Sequence, residues 1–316
     1  MPHIKKIKSG IYGLNPLLDG GFNENSTTVV IGCSGAGKTT FATQFVRRGL
    51  EEGQECIFVS LDENKEQIVK EAIGMGWGNI TDYIADKKLV FIDASGKDFA
   101  DFIREELPSF VQDWEGANTR IAIDPLTPVI WASDNMYEQR DLLGFMLKET
   151  RKIGTVLCTL EEHGSIGDLT GREVVIPMYL ADAVIHLRYR PMTHHDEKMK
   201  GPARTLKILK CRSSKHSEAA HPFQIIKGFG IVVQSMEEIR ERSTRNLEQL
   251  KKGLLAVRNQ LPKYVFDRLS SSIEVMSDDS LGTLKPQEFL QIVLEDYQDK
   301  ERVEEVVGRV FGELRT

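Results

Sequence analysis

Gly32-Cys33-Ser34-Gly35-Ala36-Gly37-Lys38-Thr39 fits the spacing G-x-x-x-x-G-K-[ST] at every position. That spacing makes a loop whose backbone N–H groups converge on phosphate oxygens. The glycines permit the close approach, the Lys38 ammonium reaches the β and γ oxygens, and the Thr39 hydroxyl is a ligand for Mg²⁺. Thr40, next along, joins the same nucleotide-binding set. Thr27–Ile31 reads as a strand and Thr39–Leu50 as a helix closing at Gly53, so the loop has the strand before it and the helix N-terminus behind it that anion binding requires.

Two further chemical roles need carboxylates. Mg²⁺ needs an acidic residue at the end of a neighbouring strand, and Asp124 closes the apolar run Ile121-Ala122-Ile123. A turn aspartate ahead of Pro125 is the alternative for Asp124, and Asp93, which ends Val90-Phe91-Ile92, is the second candidate ligand. Hydrolysis needs a carboxylate that orients water. Glu63, with Asp62 beside it, follows the run Cys56–Leu61 and is the candidate; Asp62 can also be read as the cap of the next helix.

The elements that must position these residues alternate. Apolar runs at 28–31, 57–61, 89–92, 120–123, 155–159, 183–187, 205–209 and 230–233 read as strands. Amphipathic stretches at 39–52, 64–75, 98–112 and 137–153 read as helices. Alternation of this kind predicts an α/β fold, an αβα core with a mostly parallel central sheet, whose later, closely spaced strands are antiparallel. After Val233 the texture changes. Ile239, Leu247, Leu250, Leu254 and Val257 recur at helical spacing, Thr283-Lys285-Pro286-Glu288 resembles a helix start, and Val303, Val306, Val307, Val310 and Phe311 repeat the pattern. The expected division is therefore a nucleotide-binding domain over residues 1–235 and a small all-helical C-terminal module over 236–316.

Composition narrows the class. With 41% hydrophobic and 28% charged residues and a net charge of −6, nothing favours a nucleic acid or an anionic membrane as a partner. No stretch approaches the roughly 18 apolar residues of a membrane helix, and MPHIKKIKSG has no apolar core behind it, so it does not read as a signal peptide. The four cysteines, Cys33, Cys56, Cys158 and Cys211, are scattered, and three of them sit in or beside apolar stretches as reduced thiols. A cytoplasmic location is expected. His194-His195-Asp196-Glu197 has ligand-type residues but sits in a polar stretch between Pro191 and Pro202, which reads as a hairpin loop.

Taken together, the sequence resembles the KaiC branch of the RecA superfamily, in its single-domain, archaeal form. The resemblance rests on Ser9-Gly10-Ile11-Tyr12-Gly13-Leu14-Asn15 with Leu18-Asp19-Gly20-Gly21-Phe22 ahead of the phosphate loop, on Phe58-Val59-Ser60-Leu61-Asp62-Glu63, on Tyr179–Leu187, and on Arg204–Arg212 through Pro222-Phe223 and Gly230-Ile231. It implies a RecA-like core that binds Mg·ATP between subunits of a homo-oligomer, a hexameric ring, and hydrolyses it slowly to ADP and phosphate in regulation or signalling. It implies that Lys210 and Arg212, alternate residues on one side of an extended strand, act on the neighbouring subunit's γ-phosphate, with Ser214 and His216 in the following turn completing the set. A solvated basic edge is the plainer reading of the same residues. Thr159 and Glu161 resemble the position that senses the γ-phosphate.

Departures from the family pattern are informative. Pro125 stands where a serine is usual and removes a backbone donor. Asn23-Glu24-Asn25-Ser26 replaces Pro-Glu-Gly-Ser, and one RecA domain is present where the duplicated members have two. Met178-Tyr179 occupies the place of the adjacent Ser and Thr that the autokinase half phosphorylates, so self-phosphorylation of that kind is not expected. Two alternatives remain open: a nucleotide-gated assembly switch with little hydrolysis, and a RadA-like paralogue acting on DNA. The loops that would carry DNA, 125–137 and 162–177, hold only Arg172 as a cation, which suits DNA poorly. The C-terminal helices are a candidate docking site for a protein partner.

Overall fold

The computed structural model describes residues 5–116, 118–162, 169–189, 204–234, 246–276 and 284–313. Two short strands, β1 (Lys6–Ile7) and β2 (Phe22–Asn23), pair antiparallel on either side of a 3-10 turn at Asn15–Leu18. The main sheet contains β3 (Thr27–Gly32), β4 (Cys56–Ser60), β5 (Leu89–Asp93), β6 (Thr119–Asp124), β7 (Gly154–Glu161), β8 (Ala183–Tyr189), β9 (Arg204–Cys211), β10 (Ala220–Ile226) and β11 (Gly230–Val233). Its nine strands lie in the order β11-β10-β9-β8-β3-β7-β6-β4-β5. From β8 to β5 all neighbours are parallel, and β9, β10 and β11 add on antiparallel.

Buried parallel strands are apolar on both sides, because helices cover both faces. Here Val30, Phe58, Ala122 and Leu157 face one layer, and Val29, Ile57, Ile121 and Val156 the other. The first layer holds α1 (Lys38–Glu51), α2 (Lys65–Gly74) and α3 (Ile80–Ala85); the second holds α4 (Gly96–Glu105), α5 (Leu107–Asp113), α6 (Thr127–Ile130), α7 (Met136–Thr150) and α8 (Arg172–Leu180). This is the α/β architecture that the alternation predicts and the RecA-type core that the resemblance implies. The stretch 98–112, read as one helix, is two: the chain breaks at Glu106, and Pro108 sits in the first turn of α5, where its missing N–H costs nothing.

The C-terminal helices are α9 (Asn246–Ala256), α10 (Lys263–Glu274), α11 (Pro286–Leu294) and α12 (Lys300–Glu313). Leu250, Leu269, Phe289, Leu290 and Val307 bury together with Tyr12, Ile226, Phe229 and Val232 of the sheet side, so these helices share an apolar cluster with the end of the main fold. Polar contacts reinforce the seam. Asp296, 4% exposed, accepts from Asn15 Nδ2 and lies 3.5 Å from Arg48. The Tyr297 ring is flanked by the guanidinium groups of Arg48 at 4.7 Å and Arg268 at 4.8 Å. The expected boundary at 235/236 falls outside the described residues, as does His194-His195-Asp196-Glu197.

Candidate nucleotide site

The phosphate loop leaves β3 at Gly32 and enters α1 at Lys38. A Cβ on Gly32 would lie 2.7 Å from the Leu187 carbonyl oxygen, and Gly37 holds φ at +102° with Ile225 Cδ1 3.0 Å from where its Cβ would be. Both positions therefore require glycine. The first turn of α1 has no side-chain cap and no acidic residue, so its N–H groups remain available to an anion. Lys38 Nζ, donating to the Cys33 carbonyl at 3.2 Å, folds back over the loop.

The loop opens into a cleft of about 360 Å³ lined by Ser34, Gly35, Gly37, Lys38, Thr39, Thr40, Asp62, Glu63, Glu71, Asp124, Pro125, Glu161 and Ile225. Parallel pairing brings these residues together, since β3, β4, β6 and β7 all end at this edge. A second cleft continues past Thr39, Thr40, Glu71 and Ile225 to Thr43, Met75, Trp77 and Lys227. Lys38 is the only cation lining the first cleft among the described residues, against the carboxylates of Asp62, Glu63, Glu71, Asp124 and Glu161.

Asp124 is 4% exposed, and burial raises its pKa. Hydrogen bonds from Thr159 and Thr39 and the Lys38 charge oppose that rise. A cis peptide bond joins Asp124 to Pro125. Asp93 ends the edge strand β5, is exposed, and does not line the cleft. Glu63 lies just beyond β4, its backbone carbonyl accepting from Ser60 Oγ. Its Oε2 is buried without a partner among the described residues, and burial, then the charges of Glu71, Asp124 and Asp62, push its pKa upward. Asn64, not Asp62, caps α2, accepting from Gln67 N at 2.9 Å, which leaves Asp62 to the cleft.

Thr159 departs from its expected place. It is fully buried and donates to Asp124 Oδ1, so it braces the aspartate from below, while Glu161 reaches the cleft. Sequence reasoning gave no role to Glu71, Ile225 or Arg204. Arg204 starts β9, stacks 4.2 Å over Tyr189, and donates to the Gly35 carbonyl at 3.3 Å; only the pairing of β8 with β9 brings it there.

Lys210, Arg212, Ser214 and His216 do not line this cleft. Thr28 pairs with Ala183 and Gly32 with Leu187, while Ala183 pairs with Cys211 and Tyr189 with Arg204. The end of β9 thus lies at the sheet edge opposite the phosphate loop, about 13 Å or more from Gly32 along the strand direction. Lys210 Nζ donates to the Met178 and Tyr179 carbonyls at 2.9 and 3.2 Å, and Arg212 Nη2 donates to Tyr179 O at 3.0 Å. Arg212 also lies 3.9 Å from Asp182. Burial and the adjacent Arg212 lower the Lys210 pKa.

Cys56 and Cys158 are buried thiols, with burial as the main cause of a pKa pushed up to about 12 in each; Cys33 and Cys211 are half-buried. No helix among the described residues is long and apolar enough to cross a membrane.

A family model described as "ATPase: KaiC" matches residues 7–238. The circadian clock oscillator protein KaiC of Thermostichus vulcanus is 31% identical over 256 residues, covering 76% of this chain and 46% of that protein. The circadian clock protein KaiC3 of Synechocystis sp. is 28% identical over 254 residues, 76% of this chain and 48% of that one. The chain therefore spans about half the length of these curated relatives. A solved structure of the KaiC-like protein PH0186 from the hyperthermophilic archaeon Pyrococcus horikoshii OT3 aligns with a TM-score of 0.60 and 28% identity, over 74% of this chain and 100% of that one. Together with the phosphate loop, the strand order and the acidic strand ends, these matches identify the chain as a member of the KaiC family of ATP-binding P-loop ATPases.

Proposed function

We propose that this chain hydrolyses Mg·ATP slowly to ADP and phosphate, at a site completed by a second copy of itself in a ring, in the service of regulation or signalling. The observation that carries the reading is the charge of the cleft, where, among the described residues that line it, Lys38 alone faces five carboxylates. A bound triphosphate adds further negative charge, so cations must come from elsewhere. Thr39 and Asp124 offer a hydroxyl and a carboxylate oxygen, donors that suit Mg²⁺, which takes few protein ligands besides substrate phosphates. Held by Thr39 and Asp124, such an ion would supply positive charge that the cleft's own side chains lack.

In this reading Gly32, Cys33, Ser34, Gly35, Ala36 and Gly37 supply backbone N–H groups to the phosphates, with Lys38 on the β/γ oxygens and Thr40 beside them. Glu63 orients the attacking water and accepts its proton as the water oxygen bonds to the γ phosphorus and the bond from the β–γ bridging oxygen to that phosphorus breaks, with ADP as the leaving group and Asp62 supporting Glu63. The second cleft, past Glu71, receives the nucleoside. Lys210 and Arg212, at the far sheet edge, cannot reach their own chain's phosphate loop, which supports a role on a neighbour's nucleotide together with Ser214 and His216. An arginine supplied in trans is worth ~10³–10⁵ in turnover where it has been measured. Slow turnover by an isolated subunit follows. The helices beyond residue 236 form a module docked on the fold and available to a protein partner, and DNA is not a partner in this reading.

The test is Glu63→Gln. Nucleotide binding by calorimetry should persist while phosphate release falls by about 10²–10⁴-fold. Unchanged turnover would remove Glu63 from the chemistry. Binding without measurable turnover in the parent chain would instead establish a nucleotide-gated switch.

A further inference from the structure

The turn that follows β9 is held by a clamp from the opposite end of the chain. Lys6 Nζ donates to the Leu18 carbonyl at 3.1 Å, to the Gly21 carbonyl at 3.3 Å, and to Ser214 Oγ. An ammonium has three N–H donors, and here all three are committed, two within the N-terminal segment and one across to the turn. Asn23 closes the clamp from the other side. Its Nδ2 donates to the Arg212 carbonyl at 3.1 Å, and its Oδ1 accepts from Ser214 Oγ at 3.3 Å. Ser217 N then donates to the Leu17 carbonyl at 3.0 Å.

Between these fastenings Ser213 holds φ at +59°. A residue with a Cβ enters that region at a cost, and stays there only where its surroundings over-determine it. The shape of the turn is therefore imposed by Lys6 and Asn23 more than by local preference. The fastenings are also selective: they grip the backbone of Arg212 and the side chain of Ser214, and leave the Arg212 side chain 53% exposed. β1 and β2 are two residues each, too short to be an independently stable unit. What they do provide is a hydrogen-bonded seat, at the end of the sheet opposite the phosphate loop, for the turn that leads from Arg212 to His216.

We propose that Lys6 and Asn23 are positioning residues for this turn, presetting the geometry in which Arg212 and His216 meet the nucleotide of a second copy of the chain. The inference rests on the trans reading above, and the experiment separates the two. Lys6→Met keeps the aliphatic stem and removes the charge. Alone, it should retain its thermal melt and lose turnover by about 10-fold or more, as displaced catalytic groups do. Mixed with an equal amount of Glu63→Gln, whose own site is silent but whose turn is intact, turnover per Lys6→Met subunit should recover to about half of the parent value, because about half of the neighbours then supply a set turn in trans. Arg212→Ala mixed with Glu63→Gln is the control.

If the control pair recovers and the Lys6→Met pair does not, Lys6 serves its own subunit and the clamp inference is overturned while the trans reading stands. If neither pair recovers, the trans reading fails and the clamp fails with it. Full activity of Lys6→Met alone also overturns the inference. Asn23→Ala opens the same clamp from its other side and must give the same pattern, which keeps the test intact if Lys6→Met does not fold.

Discussion

Replacing Phe289 with alanine empties the centre of the seam between the C-terminal helices and the rest of the fold. Phe289 is 1% exposed and meets Phe229 edge-to-face at 4.7 Å between ring centroids, with an interplanar angle of 82°. Deleting a buried phenyl ring costs about 3–5 kcal/mol, of which about 0.5–1.5 belongs to the aromatic pair. The size of the melting shift depends on what unfolds with it. If all 316 residues melt as one unit, an unfolding entropy of about 2.1 cal/mol/K per residue turns that loss into a shift of about 5–8 °C. If only the helical module melts, on the order of 70 residues, the same loss moves its transition by about 20 °C or more. Calorimetry distinguishes the two, and a double-mutant cycle with Phe229→Ala should return a coupling of about 0.5–1.5 kcal/mol. A loss below about 1 kcal/mol would be that of a surface site, and would refute the docking of α11 on Phe229.

Gly37→Ala should weaken ATP binding by about tenfold or more in a calorimetric titration, because a left-handed backbone with a Cβ costs about 1–3 kcal/mol and that Cβ would press on Ile225; parent-like affinity would contradict the loop geometry. Thr159→Val keeps the shape and removes the donor to Asp124, so the Mg²⁺ concentration needed to tighten nucleotide binding should rise about 10–100-fold, with Mg²⁺-free binding unchanged. Stability should fall as pH drops below about 6.5. Burial lowers the pKa of His186, which is 2% exposed with Nε2 3.2 Å from Glu162, although the Glu162 carboxylate opposes the shift. A depressed folded-state pKa gives stability that is present above the unfolded pKa and lost as pH falls through the folded one, at up to about 1.4 kcal/mol per pH unit. Burial lowers the pKa of His221 in the same direction. Denaturant titrations of His186→Gln should show a shallower slope between pH 7.5 and 5.5, and an unchanged slope would assign the effect elsewhere.

How far the sequence reaches depends on the range of the interaction. The phosphate loop is legible because its spacing, the strand before it and the helix after it are all local. That Asp124 and Glu63 lie in one cleft is legible because each closes or follows an apolar run and parallel pairing brings such ends together, whereas Asp93 closes a run on the outermost strand and stays outside. The break at Glu106 was hidden because Phe102 and Phe110 keep the apolar pattern of the stretch in step across it, and only Pro108 marked it. Pro177 inside α8 and Pro222 inside β10 concealed those elements for the opposite reason, since proline ordinarily argues against both. The resemblance set Thr159 at the γ-phosphate, whereas its hydrogen bond to Asp124 depends on which strand lies beside β6. The Lys6–Ser214 contact spans 208 positions and depends on the whole fold, as does Arg204 over the phosphate loop.

Whether the site is completed between copies of the chain is tested by phosphate release per subunit, measured across a wide range of protein concentration with assembly state followed by light scattering. Specific activity should climb steeply as the chain assembles and then saturate, with Arg212→Ala abolishing the climb while nucleotide binding persists. Specific activity that stays flat through a concentration range in which assembly is still incomplete would mean that each subunit hydrolyses ATP alone, and the trans site would be contradicted.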